Sequence, residues 1–223
     1  MFERADPFKA VEFVQAYIDG AVYPSERLTS VIHRFTDVRL QMHLMDIQHG
    51  MANMLYHGPV QVRPELASSP GMILRLTAID QAVIGGSRIA WEKLMGAVYF
   101  METGRELARS SNRSVKRTFF QWAEDHPRWM FFEPYEDVVA KHDTEWRTPE
   151  FHTGSKLRGR IFGKTVPADP NELLVLSNAL RNGIWPNIVA IARGGEPYIF
   201  GGLHSSAPNA PDSDPESHQR HTD

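Results

Sequence analysis

Four groups of polar residues carry side chains able to do chemistry. The first is the stretch TPEFHTGSKLRGRIFG, residues 148–163, in which His152 stands between Phe151 and a Thr-Gly-Ser turn. Lys156, Arg158 and Arg160 follow at alternate positions. The second comprises Arg39, His43, Asp46, Asn53 and His57, which fall along one polar strip at helical spacing, with His49 on the neighbouring apolar side. The third is Arg88 and Glu92, an i,i+4 pair in an otherwise apolar run. The fourth is Asn178, Arg181 and Asn182, which interrupt an apolar run just before Trp185-Pro186.

Each group has a structural reading beside its chemical one. Alternate cations after His152 form either a solvent-facing row or a cradle for an anion. Heme gives the second option a definite form: its iron takes an axial imidazole, and its propionates need cations and hydroxyl donors. His152 followed by Thr153, Ser155, Lys156 and Arg158 offers both within one segment. The Arg39–His57 strip is either a solvated face or the lining of an internal polar pocket. His49 is either a satisfied core histidine or a ligand, and Asp46, one turn back, is placed to orient an imidazole. Arg88–Glu92 reads as a structural ion pair.

Helices must position these groups. The spacing predicts a first helix from Asp6-Pro7 to Gly20, and a second from Glu26 to about Tyr56 after the Pro24-Ser25 cap. This second helix has two apolar stripes. One runs through Leu28, Val31, Phe35, Val38, Met42 and Met45; the other holds Leu40, Leu44, Ile47, Met51 and Met54. Two stripes predict burial on two sides. After a proline-containing loop over residues 57–70, a helix from about Met72 to Leu107 is apolar almost all round and reads as the central one. Its Gly85-Gly86 pair predicts a bend or the close approach of a neighbour. Shorter helices fit Val115–Glu124 and Tyr135–Trp146. A last helix opens at Asp169-Pro170, with Pro186 set to kink or break it before Gly194-Gly195. The one candidate strand is near Tyr198–Phe200. The expected fold is all-α: a helical domain over residues 1–203 and a disordered tail over 204–223.

Composition narrows the classes. With 24 basic and 27 acidic residues the net charge is −3, which gives no general reason to expect a nucleic-acid partner. There is no cysteine, so thiolate metal sites, disulfides and cysteine nucleophiles are excluded, and a cytoplasmic location fits. The opening MFERADPFK lacks the apolar core of a signal peptide, and charges interrupt the apolar segments too often to span a membrane. Phosphate-binding and dinucleotide-binding glycine loops, the nucleophile elbow and His-Glu-x-x-His are absent.

The run from YEDVVAKHDTEWRTPEFHTGSKLRGRIFG through NELLVLSNALRNGIWPNIVAIARGGEP resembles the C-terminal half of the heme-dependent aromatic oxygenases, the helical relatives of tryptophan 2,3-dioxygenase that include bacterial tyrosine hydroxylases. The resemblance implies a heme b with His152 as proximal ligand, for which Thr153, Ser155, Lys156 and Arg158 are the donors that the segment offers to the propionates. A distal histidine is implied as well, His43 first and His49 second. It also implies a small aromatic substrate held by Arg39, Arg147 or Arg181, with molecular oxygen or hydrogen peroxide as oxidant. Hydroxylation is then the expected reaction, with ring-opening dioxygenation as its variant. A second, shorter segment, RNGIWPN, resembles the Arg-x(4–6)-His signature of helical ribonucleases of the HEPN type, with Asn187 where the histidine would stand. That alternative predicts a nucleic-acid-processing or non-catalytic interaction module. Burial of the two-stripe helix in a homo-oligomer is a third expectation.

Overall fold

Helix α1, Leu28–His57, and helix α2, Pro70–Thr103, form the backbone of the fold, packed side by side and antiparallel. In the computed structural model the described residues are 27–57, 69–108, 115–153, 156–162 and 170–195. Every regular element among them is helical. The expected first helix, the candidate strand at 198–200 and the tail at 204–223 lie outside the described residues.

The ends of α2 follow from local chemistry. Ser69 caps its first turn by accepting a hydrogen bond from the Met72 amide at 3.3 Å, and Pro70 occupies the position where no amide is needed. Gly104, at φ 69°, adopts the left-handed conformation that stops the helix four residues before the expected Leu107. The glycine pair permits close approach of neighbours on two sides. Gly86 meets Gln41, Met45 and Gln48 of α1, and the Phe151 ring lies against Gly85.

Helix α3 is Val115–Glu124, as the spacing predicts. A 3-10 run, Pro127–Tyr135, leads into α4, Glu136–His142. The chain then widens into two π-helical segments, Asp143–Arg147 and Pro149–Thr153. Arg88, 5% exposed, joins these parts: its Nε donates to Asp143 at 2.9 Å and its Nη2 meets Glu92 at 3.3 Å. Lys116 reaches the same Asp143 at 3.3 Å. The Arg88–Glu92 pair is thus structural, and Asp143 extends it to α3 and α4.

The last helix is broken into pieces: a 3-10 turn at Pro170–Leu174, α5 at Val175–Asn178, a π-helical segment at Ala179–Ile184 and α6 at Trp185–Ala192. Pro186 sits in the first turn of α6, where its missing amide costs no hydrogen bond. Trp91 ties this region to α2, its indole N–H donating to the Leu176 carbonyl at 2.9 Å. The main core is aromatic-rich, with Trp91, Phe119, Phe132 and Trp129 among its fully buried side chains.

One expectation is corrected. The first stripe of α1 is buried, with Val31, Val38 and Met42 at 0% exposure. The second is not: Leu40, Leu44, Ile47, Met51 and Met54 are 42–67% exposed. The cause is angular. Helix α2 packs on the side of Gln41 and Gln48, while the last helix packs on the side of Arg39 and Asp46. Among the described residues, the stripe between them is left facing outward.

The glycines give a test of packing. A Cβ at Gly183 would collide with the Tyr135 hydroxyl and ring, whereas one at Gly96 would meet nothing within 4 Å. Gly183→Ala is expected to cost about 1–3 kcal/mol in urea unfolding. Gly96→Ala in mid-helix is expected to be neutral or to stabilise by up to about 1 kcal/mol.

Candidate functional site

Two helices create the site by facing each other across a small gap. Helix α1 brings Met45, Asp46 and His49, and the Leu174–Arg181 region brings Ser177, Asn178 and Arg181. Between them is a cavity of about 330 Å³ with polar walls formed by His49, Ser177, Asn178 and Arg181. Met45, Val83 and Leu174 form its apolar side. This volume is at the lower end for small-molecule sites.

Arg181 enters through the π-helical segment Ala179–Ile184. Such segments carry one residue more than an α-turn and are frequent at functional sites. Its guanidinium forms an ion pair with Asp46. Burial, then the charge of Arg39, lower the Arg181 pKa from its ordinary value. Arg39 itself is 8% exposed and lies 5.7 Å from the Trp185 ring centre. Burial lowers the His49 pKa too, which favours the neutral imidazole at neutral pH. The polar strip of α1 is therefore turned toward the last helix at Arg39 and Asp46 and is not a solvated face there, and neither residue is part of the cavity wall.

The remaining expected residues are placed elsewhere. His43 is half-buried, with its Nδ1 enclosed and without a hydrogen-bond partner. His152 is exposed, on the π-helical segment Pro149–Thr153. That segment is fixed by Glu150, which accepts from Gln81 Nε2 at 2.6 Å and from the Leu157 amide at 3.1 Å. Lys156 donates to the Glu145 carbonyl at 3.3 Å and lies 3.8 Å above the Trp146 ring centre. Arg158 is exposed, and Arg147 is half-buried. Ser155 and the Thr153 side chain lie outside the described residues. Asn187, at the position of the ribonuclease histidine, is 2% exposed and donates to the Gly183 carbonyl at 3.0 Å within its own helix.

These positions bear on the fit of a heme. Gln81 and Gly85, which hold Glu150 and Phe151, share one side of α2. Val83, which faces the His49 cavity, projects from the opposite side. Helix α2 therefore stands between His152 and His49. As placed, the two histidines do not frame one heme.

His142 has surroundings that its sequence context does not announce. It is 4% exposed, and neither ring nitrogen has a hydrogen-bond partner. Its pKa is pushed down to about 4, chiefly by burial; Asp143 opposes the shift, and Arg88 and Arg147 add to it. The only signal in the sequence was its place beside Asp143. The folded state binds fewer protons here than the unfolded chain, so stability is full above the ordinary value of 6.5 and falls as the pH drops toward 4. About 3 kcal/mol is expected to be lost across that window. Urea unfolding of wild type and His142→Phe at a series of pH values checks this, because the variant should have the flatter profile.

Comparison of the chain with protein-family models, with curated proteins and with solved structures finds no match to any of them.

Proposed function

We propose that the cavity between α1 and the last helix binds a small anion, a carboxylate or a phosphate, and that this is the functional site of the chain. The observation that carries the reading is Arg181 at the wall of a cavity it shares with His49 and Asn178. A guanidinium has five donors in a planar fork, and one carboxylate such as Asp46 can engage at most two of them. Asp46 thus orients Arg181 and leaves donors for a ligand. The nearby Arg39 charge makes an added anion favourable. Asn178 supplies an amide, and Met45, Val83 and Leu174 offer an apolar wall to the rest of a small ligand. Neutral His49 beside the bound anion is suited to accept a proton, which gives the site a general base.

The resemblance supports a more specific form of this reading, in which the ligand is an aromatic acid and the chain is a heme-dependent hydroxylase or dioxygenase. His49 and Arg181, the residues that form would use as distal histidine and carboxylate holder, line the same cavity. It also requires heme at His152, across α2 from that cavity. A Soret band that is lost in His152→Ala would establish the heme form. A colourless protein that takes up no added hemin would leave the anion site without it.

The anion site is tested by titrating the protein with inorganic phosphate and with benzoate, followed by amide and histidine NMR shifts. Saturable shifts at His49 and Asn178 are expected. Arg181→Gln should weaken binding tenfold or more, the scale of a lost charge-assisted hydrogen bond of about 1.5–3 kcal/mol. Arg158→Gln should leave it unchanged. No shift at either residue with millimolar anion would overturn the proposal.

A further inference from the structure

The exposed stripe of α1 has a stricter order than a scattered apolar surface. Leu40, Leu44, Ile47, Met51 and Met54 are separated by four, three, four and three residues. That is the a/d alternation of a coiled-coil seam, with Leu44 and Met51 at a and Leu40, Ile47 and Met54 at d. All five are 42–67% exposed on a helix whose other sides are packed. No charge interrupts them. The flanking e and g positions hold Gln41 and Gln48 on one side and His43 and Gly50 on the other. Acidic and basic residues, which normally select a different partner at e and g, are missing there, so nothing prevents the face from meeting its own copy.

We infer that this stripe is the two-fold interface of a homodimer, in which α1 packs against α1 of a second copy. A two-fold contact must be self-complementary, and an uncharged apolar seam satisfies that condition. Covering the exposed parts of the five side chains on both copies buries roughly 1,000 Å², the lower bound for a specific interface. Ile89, 46% exposed, lies on α2 between the registers fixed by Lys93–Asp37 and Gly86–Gln41. It therefore flanks the seam near Leu40 and adds to the covered area. Two heptads would be short for a free coiled coil, but α1 is already held straight against α2, so no helix has to form on association. The interface lies beyond Asp46 and His49 on the same helix, which leaves the anion cavity open on its other side.

Light scattering on the full-length chain tests this. The expected mass is twice the 25.3 kDa of one chain, falling to one chain in the Leu44→Glu/Ile47→Glu double variant with helical circular dichroism retained. A monomeric wild type at tens of micromolar overturns the inference, as does a dimer whose mass the double variant leaves unchanged. If that variant fails to fold, single-cysteine variants decide. The chain has no native cysteine, so Leu44→Cys, Ile47→Cys and Met51→Cys can each be oxidised separately, with Lys141→Cys as a distant exposed control. A disulfide-linked dimer at one or more seam positions and none at the control is expected. No cross-link at any seam position sinks the proposal.

Discussion

The approach of α1 to α2 at Gly86 is the contact on which the other features depend. With no side chain at that position, Met45, Gln41 and Gln48 of α1 come within van der Waals reach of the α2 backbone. That contact fixes the rotation of α1 about its axis. Once the Gln41/Gln48 side is assigned to α2, Val38, Met42 and Met45 must enter the core, and Arg39 and Asp46 turn toward the last helix. The cavity is therefore a consequence of helix phase. A bulkier residue at Gly86 would rotate or lift α1, and the Asp46–Arg181 pair would part before any residue in the cavity had changed.

Polar groups buried by this packing are treated in two ways. Arg88 is paired through Nε with Asp143 and through Nη2 with Glu92, while its Nη1 is buried without a partner, and Asp143 links it on to Lys116. His142, one residue from Asp143, is buried without hydrogen bonds and is held neutral. The contrast is one of geometry. A guanidinium reaches across a gap with several donors, while an imidazole must have its partner placed for it. An open groove of similar volume, lined by Arg34, Asp37, Lys93 and Glu106, has these four side chains joined in two ion pairs. Its charges are largely occupied with each other, which distinguishes it from the His49 cavity.

Much of the framework was legible because it depends on local rules. The apolar run predicts α2 within two residues at its start, and Val115–Glu124 is found as predicted. Gly85-Gly86 signalled close approach, and the structure supplies both neighbours. The candidate site was only half legible. Asp46, His49 and Arg181 were each singled out, but their meeting depends on which turn of the last helix faces α1. That turn is set by a π-helical segment that no residue pattern announced. The fate of the second stripe was illegible for a similar reason. Periodicity shows that a face is apolar and leaves open whether the chain itself has anything to cover it.

The π-helical segment also makes the length of the last helix a fixed quantity. Between α5 and α6, Ala179–Ile184 carries an extra residue of winding, with its backbone bonded at the wider π pitch. Everything beyond it is phased by that surplus: Trp185 against Phe35, with Ile188 and Ile191 in the core. Deleting a single residue there would let the helix relax to ordinary α geometry, which is locally more stable. It would also turn the whole of α6 by about a quarter of a revolution. The segment should accept changes of residue type far more readily than changes of residue number, so that insertions and deletions are the lesions it tolerates least.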